Sequence, residues 1–161
     1  MRLSKHTPWW LVCCLVALCA TSCNDDSCYD NGSAIPLARF YASGTTSQVS
    51  VSGLTVRGID NPGDSLMVDS MTVNETFLPL RATRELTQWV LEYGDDIPSD
   101  TLSLHYHAIP YFSSAECGAM YNFEITKVDA TTHVLDSVVL VTPLVDNVTR
   151  VTLRIYNGYK I

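Results

Sequence analysis

Apolar and polar residues alternate with a period of two along most of the chain from Ile35 onward, which is the pattern of half-buried β-strands. The stretch 151–156 shows it most clearly, since Val, Leu and Ile alternate there with Thr, Arg and Tyr. Short turn signals rich in Gly, Pro, Asp and Asn separate such stretches. The pattern predicts up to nine strands, near residues 35–42, 48–58, 65–73, 76–82, 86–93, 101–109, 119–129, 134–142 and 148–156.

These short strands predict an all-β fold. We expect an antiparallel two-sheet β-sandwich of immunoglobulin-like character, with a small β-barrel as the alternative. The segment 81–92 comes closest to a helix, but its spacing fits a strand equally well. Proline cannot donate to the hydrogen-bond ladder of a sheet, so four prolines beside apolar runs are expected at strand ends, bulges or edges: Pro36, Pro79, Pro110 and Pro143.

The first 22 residues have the three-part pattern of a secretory signal. A basic start with Arg2 and Lys5 precedes an unbroken apolar run over 9–20, and small residues follow. The run is too short for a comfortable transmembrane helix, which needs about 20 apolar residues. The junction before Cys23 resembles a bacterial lipobox, so residues 1–22 are predicted to be a lipoprotein signal peptide and Cys23 the lipidated residue.

Residues 23–33 are predicted to form an acidic tether, and residues 34–161 a single β-sandwich domain. Asp25 and Asp26 resemble the surface-export signal of Bacteroidota lipoproteins, and a plain solvated tether is the alternative. We therefore expect an outer-membrane lipoprotein that faces the periplasm or the cell surface. The membrane is its first expected partner, through the lipid.

Composition narrows the function classes. The chain has 161 residues, of which 47% are hydrophobic and 17% charged, and this excludes a disordered chain. Its 17 acidic residues outnumber the 10 basic ones, giving a net charge of −7. No basic stripe is present to neutralise phosphates, which argues against a nucleic-acid partner.

Two cysteines remain once the signal is removed and Cys23 is lipidated, namely Cys28 and Cys117. An exported protein meets an oxidising compartment, so an even pair predicts a disulfide bond. Two separate thiols are the alternative.

Enzyme signatures are missing from the sequence. It contains no G-x-S-x-G, P-loop, G-x-G-x-x-G or H-E-x-x-H motif. His105 and His107 point to the same side of a strand and are weak candidates for metal ligands, but solvent-facing histidines are the simpler interpretation. The acidic residues Asp95, Asp96 and Asp100 are interpreted as a solvated turn. We expect no cofactor and no catalytic residue.

Aromatic residues are interpreted mainly as sandwich core. Tyr111 and Phe112 are the exception, because they follow Pro110 near a predicted strand end and are expected to form an exposed contact surface. The remaining aromatic candidates for a ligand platform are Trp89, Tyr93, Tyr106 and Tyr121.

Four Asp-Ser/Thr-apolar triplets resemble the acceptor pattern of Bacteroidota O-glycosylation. We expect one or more of their hydroxyl residues to carry a glycan: Ser65, Ser70, Thr101 and Ser137.

Several short motifs occur in a characteristic order. They are Cys28, Pro-Leu-Ala-Arg-Phe-Tyr at 36–41, Leu-Thr-Val-Arg-Gly at 54–58, Asp64-Ser65, Phe-Leu-Pro-Leu at 77–80, Cys117-Gly118 and Val-Thr-Leu-Arg-Ile-Tyr at 151–156. In this order the mature chain resembles domain of unknown function 6452, a family of Bacteroidota lipoproteins, over nearly all of 23–161. The resemblance supports the pairing of Cys28 with Cys117 and implies no activity or ligand.

The functional hypothesis is a lipid-anchored envelope protein that acts as a non-enzymatic binding, structural or accessory module. Its partner would be an envelope protein or a glycan, which binds at an exposed sheet edge or at the Tyr111–Phe112 surface. The alternative is a hydrolase or metal-dependent enzyme built on the same scaffold.

Overall fold

The computed structural model describes residues 34–59, 65–114 and 118–158. Over these residues the chain is all-β, which confirms the predicted fold class. The strands are β1 (Leu37–Ala42), β2 (Val51–Gly58), β3 (Leu66–Val73), β4 (Glu75–Phe77), β5 (Leu86–Glu92), β6 (Asp100–Ser114), β7 (Gly118–Ala130), β8 (Leu135–Leu140), β9 (Leu144–Val145) and β10 (Val151–Asn157). The predicted signal peptide, 1–22, and the predicted tether, 23–33, lie outside the described residues.

The strands form two sheets, as predicted for a β-sandwich. One sheet has four strands in the order β4-β1-β10-β8, and the other has six in the order β3-β2-β5-β6-β7-β9. Neither sheet closes into a barrel within the described residues. Each sheet contributes one apolar face to a shared core, which is how two sheets exclude water together.

One described pair differs from the predicted antiparallel arrangement, because β1 and β10 run parallel. A parallel pair needs a long connection, and here all the other strands lie between the two in sequence. The period-two pattern reports which face of a strand is buried but not the direction of its neighbour. The first and last strands of the domain therefore lie side by side in the centre of the four-stranded sheet.

The core is built from the alternate residues that the sequence pattern singled out. The largest side chains with almost no exposure are Trp89, Tyr106, Phe40, Leu54, Leu78, Leu91, Leu102, Leu104, Leu153 and Ile155. They come from both sheets. The ring of Tyr106 packs edge-on against that of Phe123 at a centroid distance of 5.5 Å. Three aromatic residues of the predicted ligand platform, Trp89, Tyr93 and Tyr106, are thus core residues.

Strand β6 continues further than Pro110 suggested. The predicted strand ended at residue 109, but β6 runs through Pro110 to Ser114. Strand β5 pairs with β6 only as far as His105, so Pro110 lies where β6 has no strand on that side within the described residues. Since the missing proline amide costs little beside an open edge, the strand continues through it.

The interpretation of three aspartates as a solvated turn is wrong for one of them. Asp95 and Asp96 are exposed, but Asp100 has no solvent exposure. The backbone amides of residues 133–135 donate to its carboxylate oxygens at 2.7 to 2.9 Å. The hydroxyl of Thr131 donates a further hydrogen bond at 2.8 Å. Asp100 therefore holds the connection that carries the chain from β7 in one sheet to β8 in the other.

These hydrogen bonds control the ionisation of Asp100. Burial by itself would raise the pKa of this carboxyl, but the bonds donated by the β7–β8 connection outweigh burial and hold the pKa below its ordinary value of 3.8. The hydroxyl of Tyr93 also faces the carboxylate, at 3.4 Å. Burial, together with the nearby negative charge, raises the pKa of Tyr93.

Removing the carboxylate should destabilise the fold strongly. We expect Asp100→Ala to lower the free energy of unfolding at neutral pH by about 3 kcal/mol or more, because several buried donors lose their acceptor. Urea unfolding followed by the fluorescence of Trp89 measures this change. Asp96→Ala, in the exposed part of the same loop, is the matched control and should change stability by less than about 0.5 kcal/mol.

The same carboxylate predicts a pH dependence. Because folding lowers the pKa of Asp100, its contribution to stability is complete above pH 3.8 and is lost as the pH falls through the folded-state pKa. The stability difference between the wild type and Asp100→Ala should therefore shrink below about pH 4. A difference that stays constant from neutral pH down to pH 2.5 would contradict this account.

Candidate functional site

The hairpin of β6 and β7 extends beyond the strands on either side of it. Strand β5 pairs with β6 only up to His105, and β9 pairs with β7 only at residues 123–124. Residues 109–114 and 118–122 form what we call the arm, a two-stranded ribbon that pairs only with itself among the described residues. Its two outer edges carry backbone groups available for pairing with another extended segment.

Register places different side chains on the two faces of the arm. Phe112 lies opposite Ala119 and Pro110 lies opposite Tyr121, on the face that continues the core. Tyr111 lies opposite Met120 on the other face, where its hydroxyl contacts the Met120 sulfur at 3.9 Å. The predicted contact surface is thus divided, since neighbours along a strand point to opposite sides.

Phe112 has the largest exposure of the described large apolar side chains, at 73%. Tyr121 on the same face is 42% exposed. Tyr111 is less exposed than these two side chains, because it is half-buried and its hydroxyl contacts the sulfur of Met120. The apolar face of the arm, rather than the Tyr111–Phe112 pair, is therefore the surface that this region offers to another molecule.

An apolar groove of about 460 Å³ lies at the base of the arm. Its lining comprises Ala34, Ile35, Pro79, Leu80, Ala82, Ala119, Met120, Tyr121 and Phe123. Ala34, where the described chain begins, is 3% exposed. The end of the chain that leads toward the predicted tether is therefore fixed beside the arm.

A second surface arises from the parallel pairing of β1 and β10. Both strands contain an Arg-apolar-Tyr triplet, at 39–41 and at 154–156. The central residues, Phe40 and Ile155, are fully buried. The register pairs the first arginine with the second and the first tyrosine with the second. Both arginines and both tyrosines therefore lie on the outer face of the four-stranded sheet, and we call this surface the Arg–Tyr face.

Contacts on the Arg–Tyr face fix its side chains. Arg39 donates from Nε and Nη2 to one oxygen of Glu75, at 2.9 and 2.7 Å. These bonds raise the pKa of Arg39 above its ordinary value. The guanidinium of Arg154 lies 5.5 Å from the ring centroid of Tyr41, which in turn lies 5.8 Å from that of Tyr156. Since the cation covers the ring of Tyr41, the two rings are held in a defined arrangement.

A broad depression of about 670 Å³ borders this surface. It is lined by Gly44, Thr45, Thr46, Ser47, Asp136, Ser137 and Tyr156. The lining combines one aromatic ring with hydroxyl groups and one carboxylate. The depression connects the turn after β1 with the edge strand β8.

A model of a family of unknown function, DUF6452, matches residues 53–157. The chain belongs to the DUF6452 family. The match runs from within β2 to the end of β10, and it leaves out β1 and Cys28. No curated protein and no solved structure matches the chain.

The two histidines that were candidate metal ligands, His105 and His107, contact acidic side chains on neighbouring segments. His105 Nε2 lies 3.4 Å from a carboxylate oxygen of Asp129, and His107 Nδ1 lies 3.6 Å from one of Glu85. Within 34–59, 65–114 and 118–158, no group of three His, Cys, Asp or Glu side chains comes together in a way that could hold a metal ion. The same residues include no helix with the length and hydropathy that a membrane crossing requires.

The four predicted O-glycosylation sites differ in their surroundings. Ser70 is exposed on the edge strand β3, and Ser137 is exposed on the edge strand β8. Ser65 is half-buried and lies directly before β3. Thr101 is also half-buried, and it follows the fully buried Asp100. In the folded domain, Ser70 and Ser137 are therefore the two hydroxyls that an enzyme could reach most easily.

The sequence pattern does not by itself identify the Arg–Tyr face. The two triplets at 39–41 and 154–156 belong to the motifs of the family resemblance, which do not indicate that they form one surface. The alternation of each triplet was a usable signal, because it places Arg and Tyr opposite a buried residue. Their juxtaposition was not predictable, since it depends on the parallel pairing of the first and last strands.

Cys23, Cys28 and Cys117 lie outside the described residues, but the residues near two of them approach each other. Ala34 and Ala119 line the same groove. Cys28 is six residues before Ala34, a span of about 20 Å at full extension, and Cys117 is two residues before Ala119. The placement of these neighbours is compatible with the predicted bridge.

We predict that Cys28 and Cys117 form a disulfide bond in the exported protein. Peptide mapping without reduction should recover the two cysteine-containing peptides as one linked species, which separates on reduction. The double variant Cys28→Ala/Cys117→Ala should unfold at a lower urea concentration than the oxidised protein, because the bridge closes a loop of about 90 residues. Quantitative alkylation of both thiols in protein from the native envelope would contradict the prediction.

Proposed function

We propose that this DUF6452 protein is a lipid-anchored, non-enzymatic binding module of the outer membrane of a Bacteroidota bacterium. The signal pattern of 1–22 and the lipobox-like junction before Cys23 support the anchor. Asp25 and Asp26 resemble a surface-export signal, and a plain solvated tether on the periplasmic face is the equal alternative. Acyl chains on Cys23 would bind the protein stably to the membrane.

The observation that carries the binding function is the arm, whose two outer edges pair with no described strand and which carries the exposed ring of Phe112. An extended segment of another protein can add to such an edge through backbone hydrogen bonds, while its side chains contact the arm's apolar face. We therefore propose an extended segment of an envelope protein as the partner. Its apolar side chains would cover Phe112 and Tyr121.

The position of the arm favours a partner in the same membrane. The predicted tether joins the domain at Ala34, which shares a groove with Tyr121 at the base of the arm. The eleven tether residues, 23–33, span about 40 Å at most. The anchor thus keeps the arm near the membrane, where other lipid-anchored or integral proteins are concentrated.

The anchor is tested through Cys23. We expect Cys23→Ala to accumulate as an unprocessed precursor without lipid, and globomycin to have the same effect on the wild type. Membrane fractionation and metabolic labelling with a fatty acid measure both effects. Cys19→Ala, within the signal, is the control and should be processed normally. A Cys23→Ala protein that still incorporates the label would exclude Cys23 as the lipidated residue.

The contact surface is tested by photo-crosslinking from the arm. With benzoylphenylalanine in place of Phe112, irradiation of intact cells should yield an adduct with an envelope protein. The same substitution at Val148, which is 55% exposed in the β9–β10 loop, is the matched control and should yield none. In a pull-down from native membranes, Phe112→Ser should lose most of the partner, while Val148→Ser keeps it.

Two results would contradict the proposed contact. One is a Phe112 adduct formed only with residues 24–33 of the same chain, which would mean that the tether covers the arm. The other is equal partner recovery with Phe112→Ser and Val148→Ser, which would place the contact elsewhere on the domain.

A further inference from the structure

The depression beside the Arg–Tyr face offers mainly hydroxyl groups. Thr46, Ser47 and Ser137 line it, and their side-chain hydroxyls make no hydrogen bond to a described residue. A hydroxyl both donates and accepts, and the neighbouring carboxylate of Asp136 accepts. A ligand with many hydroxyl groups of its own could both donate hydrogen bonds to these side chains and accept hydrogen bonds from their hydroxyls.

Charge balance argues against an anionic ligand at this surface. Arg39 is paired with Glu75, and the lining of the depression holds one carboxylate, Asp136, and no Lys or Arg side chain. Among its lining residues the depression therefore has a net negative charge, and no cation lies in it to hold an anion. Phosphate and carboxylate ligands are usually held by an excess of cationic donors. An uncharged polar ligand fits this balance better.

The tyrosines supply the apolar contact that such a ligand needs. The guanidinium of Arg154 covers the ring of Tyr41. Of the two tyrosines, Tyr156 is the one that lines the depression. Tyr156 is half-buried and supported by the ring of Tyr41. A sugar ring presents C–H groups on one face and hydroxyls around its rim, and an aromatic side chain packs well against the apolar face.

The wall of the depression is held in place before any ligand binds. The hydroxyl of Ser43 donates to Asp136 at 2.7 Å, joining the turn after β1 to β8. Within the turn, the hydroxyl of Thr45 donates to the carbonyl of Ala42 at 3.0 Å and accepts from the amide of Ser47 at 3.1 Å. Such pre-ordering lowers the entropy cost of binding.

We propose that this depression, with Tyr156 as its stacking platform, is a binding site for an uncharged saccharide. The hydroxyls of Thr46, Ser47 and Ser137 and the carboxylate of Asp136 form hydrogen bonds to sugar hydroxyls. Arg154 keeps the two tyrosine rings in position. The site lies on the four-stranded sheet, whereas the arm belongs to the six-stranded one, so it is independent of the contact proposed above.

The test uses the full-length protein in detergent, produced in a host that does not glycosylate Asp-Ser motifs, because Ser137 is also a predicted glycosylation site. The probe is a glycan microarray that carries neutral and acidic saccharides. We expect binding to neutral saccharides. The saccharide bound most strongly is then titrated calorimetrically against the wild type and the variants.

Tyr156→Ala should weaken binding about tenfold, because stacking is lost. Asp136→Asn, at an exposed position, should weaken it by a similar factor while leaving the fold intact. Tyr121→Ala on the arm is the matched control and should bind like the wild type. Circular dichroism melting checks each variant, so that the Asp136→Asn result stands even if Tyr156→Ala proves unstable.

Three results would overturn the proposal. The first is an array without binding to any neutral saccharide. The second is binding to inorganic phosphate or to acidic saccharides alone, which would show an anion site instead. The third is saccharide binding that Asp136→Asn and Tyr156→Ala leave unchanged. None of these results bears on partner capture by Phe112, so failure here is distinguishable from failure of the proposed membrane module.

Discussion

The carboxylate of Asp100 lies at the start of β6 with no solvent exposure, and it accepts hydrogen bonds from the backbone of 133–135 and from Thr131. An unpaired buried charge is strongly destabilising, so the position of the β7–β8 connection is tied to that of β6. This connection delivers β8 to the edge of the four-stranded sheet. The placement of Asp136 and Ser137, which immediately follow the connection, depends on the same contact.

The placement of β8 in turn shapes the Arg–Tyr face. Strand β8 pairs with β10 so that Ser137 lies opposite Tyr156, and β10 pairs in parallel with β1 so that Tyr156 lies beside Tyr41. A slip of one residue in either pair would turn the polar and aromatic side chains toward the core. The fully buried Phe40 and Ile155 oppose such a slip, because it would expose them to water. Core packing therefore determines the geometry of the outer surface.

Much of this fold was predictable from the period of the sequence, and most observed strands lie close to predicted ones. Two differ: β4 ends at Phe77, although the pattern predicts a strand over 76–82, and the pattern does not predict β9. The remainder depends on contacts between distant segments, which periodicity does not report. Asp100 is the same residue type as the exposed Asp95 and Asp96. Its burial depends on the hydrogen bonds from the backbone amides of 133–135, which are distant in sequence. Tyr111 and Phe112 are adjacent in sequence, and this suggested a single contact surface. Alternation along β6 places the two side chains on opposite faces.

The arm has the features of an aggregation-prone sheet edge, and the other described edges do not. Elsewhere in the described residues the edges are short, as in β4 and β9, or carry exposed polar residues, as in β3 and β8. The arm has edges that no described strand pairs, and its apolar face includes Phe112, which is 73% exposed. This combination promotes aggregation. Pro110 removes one backbone donor, and this reduces the tendency to pair but leaves the apolar face uncovered. Under the proposed lipid anchor, the domain would be concentrated with other envelope proteins, and the partner that we propose would cover this apolar face there.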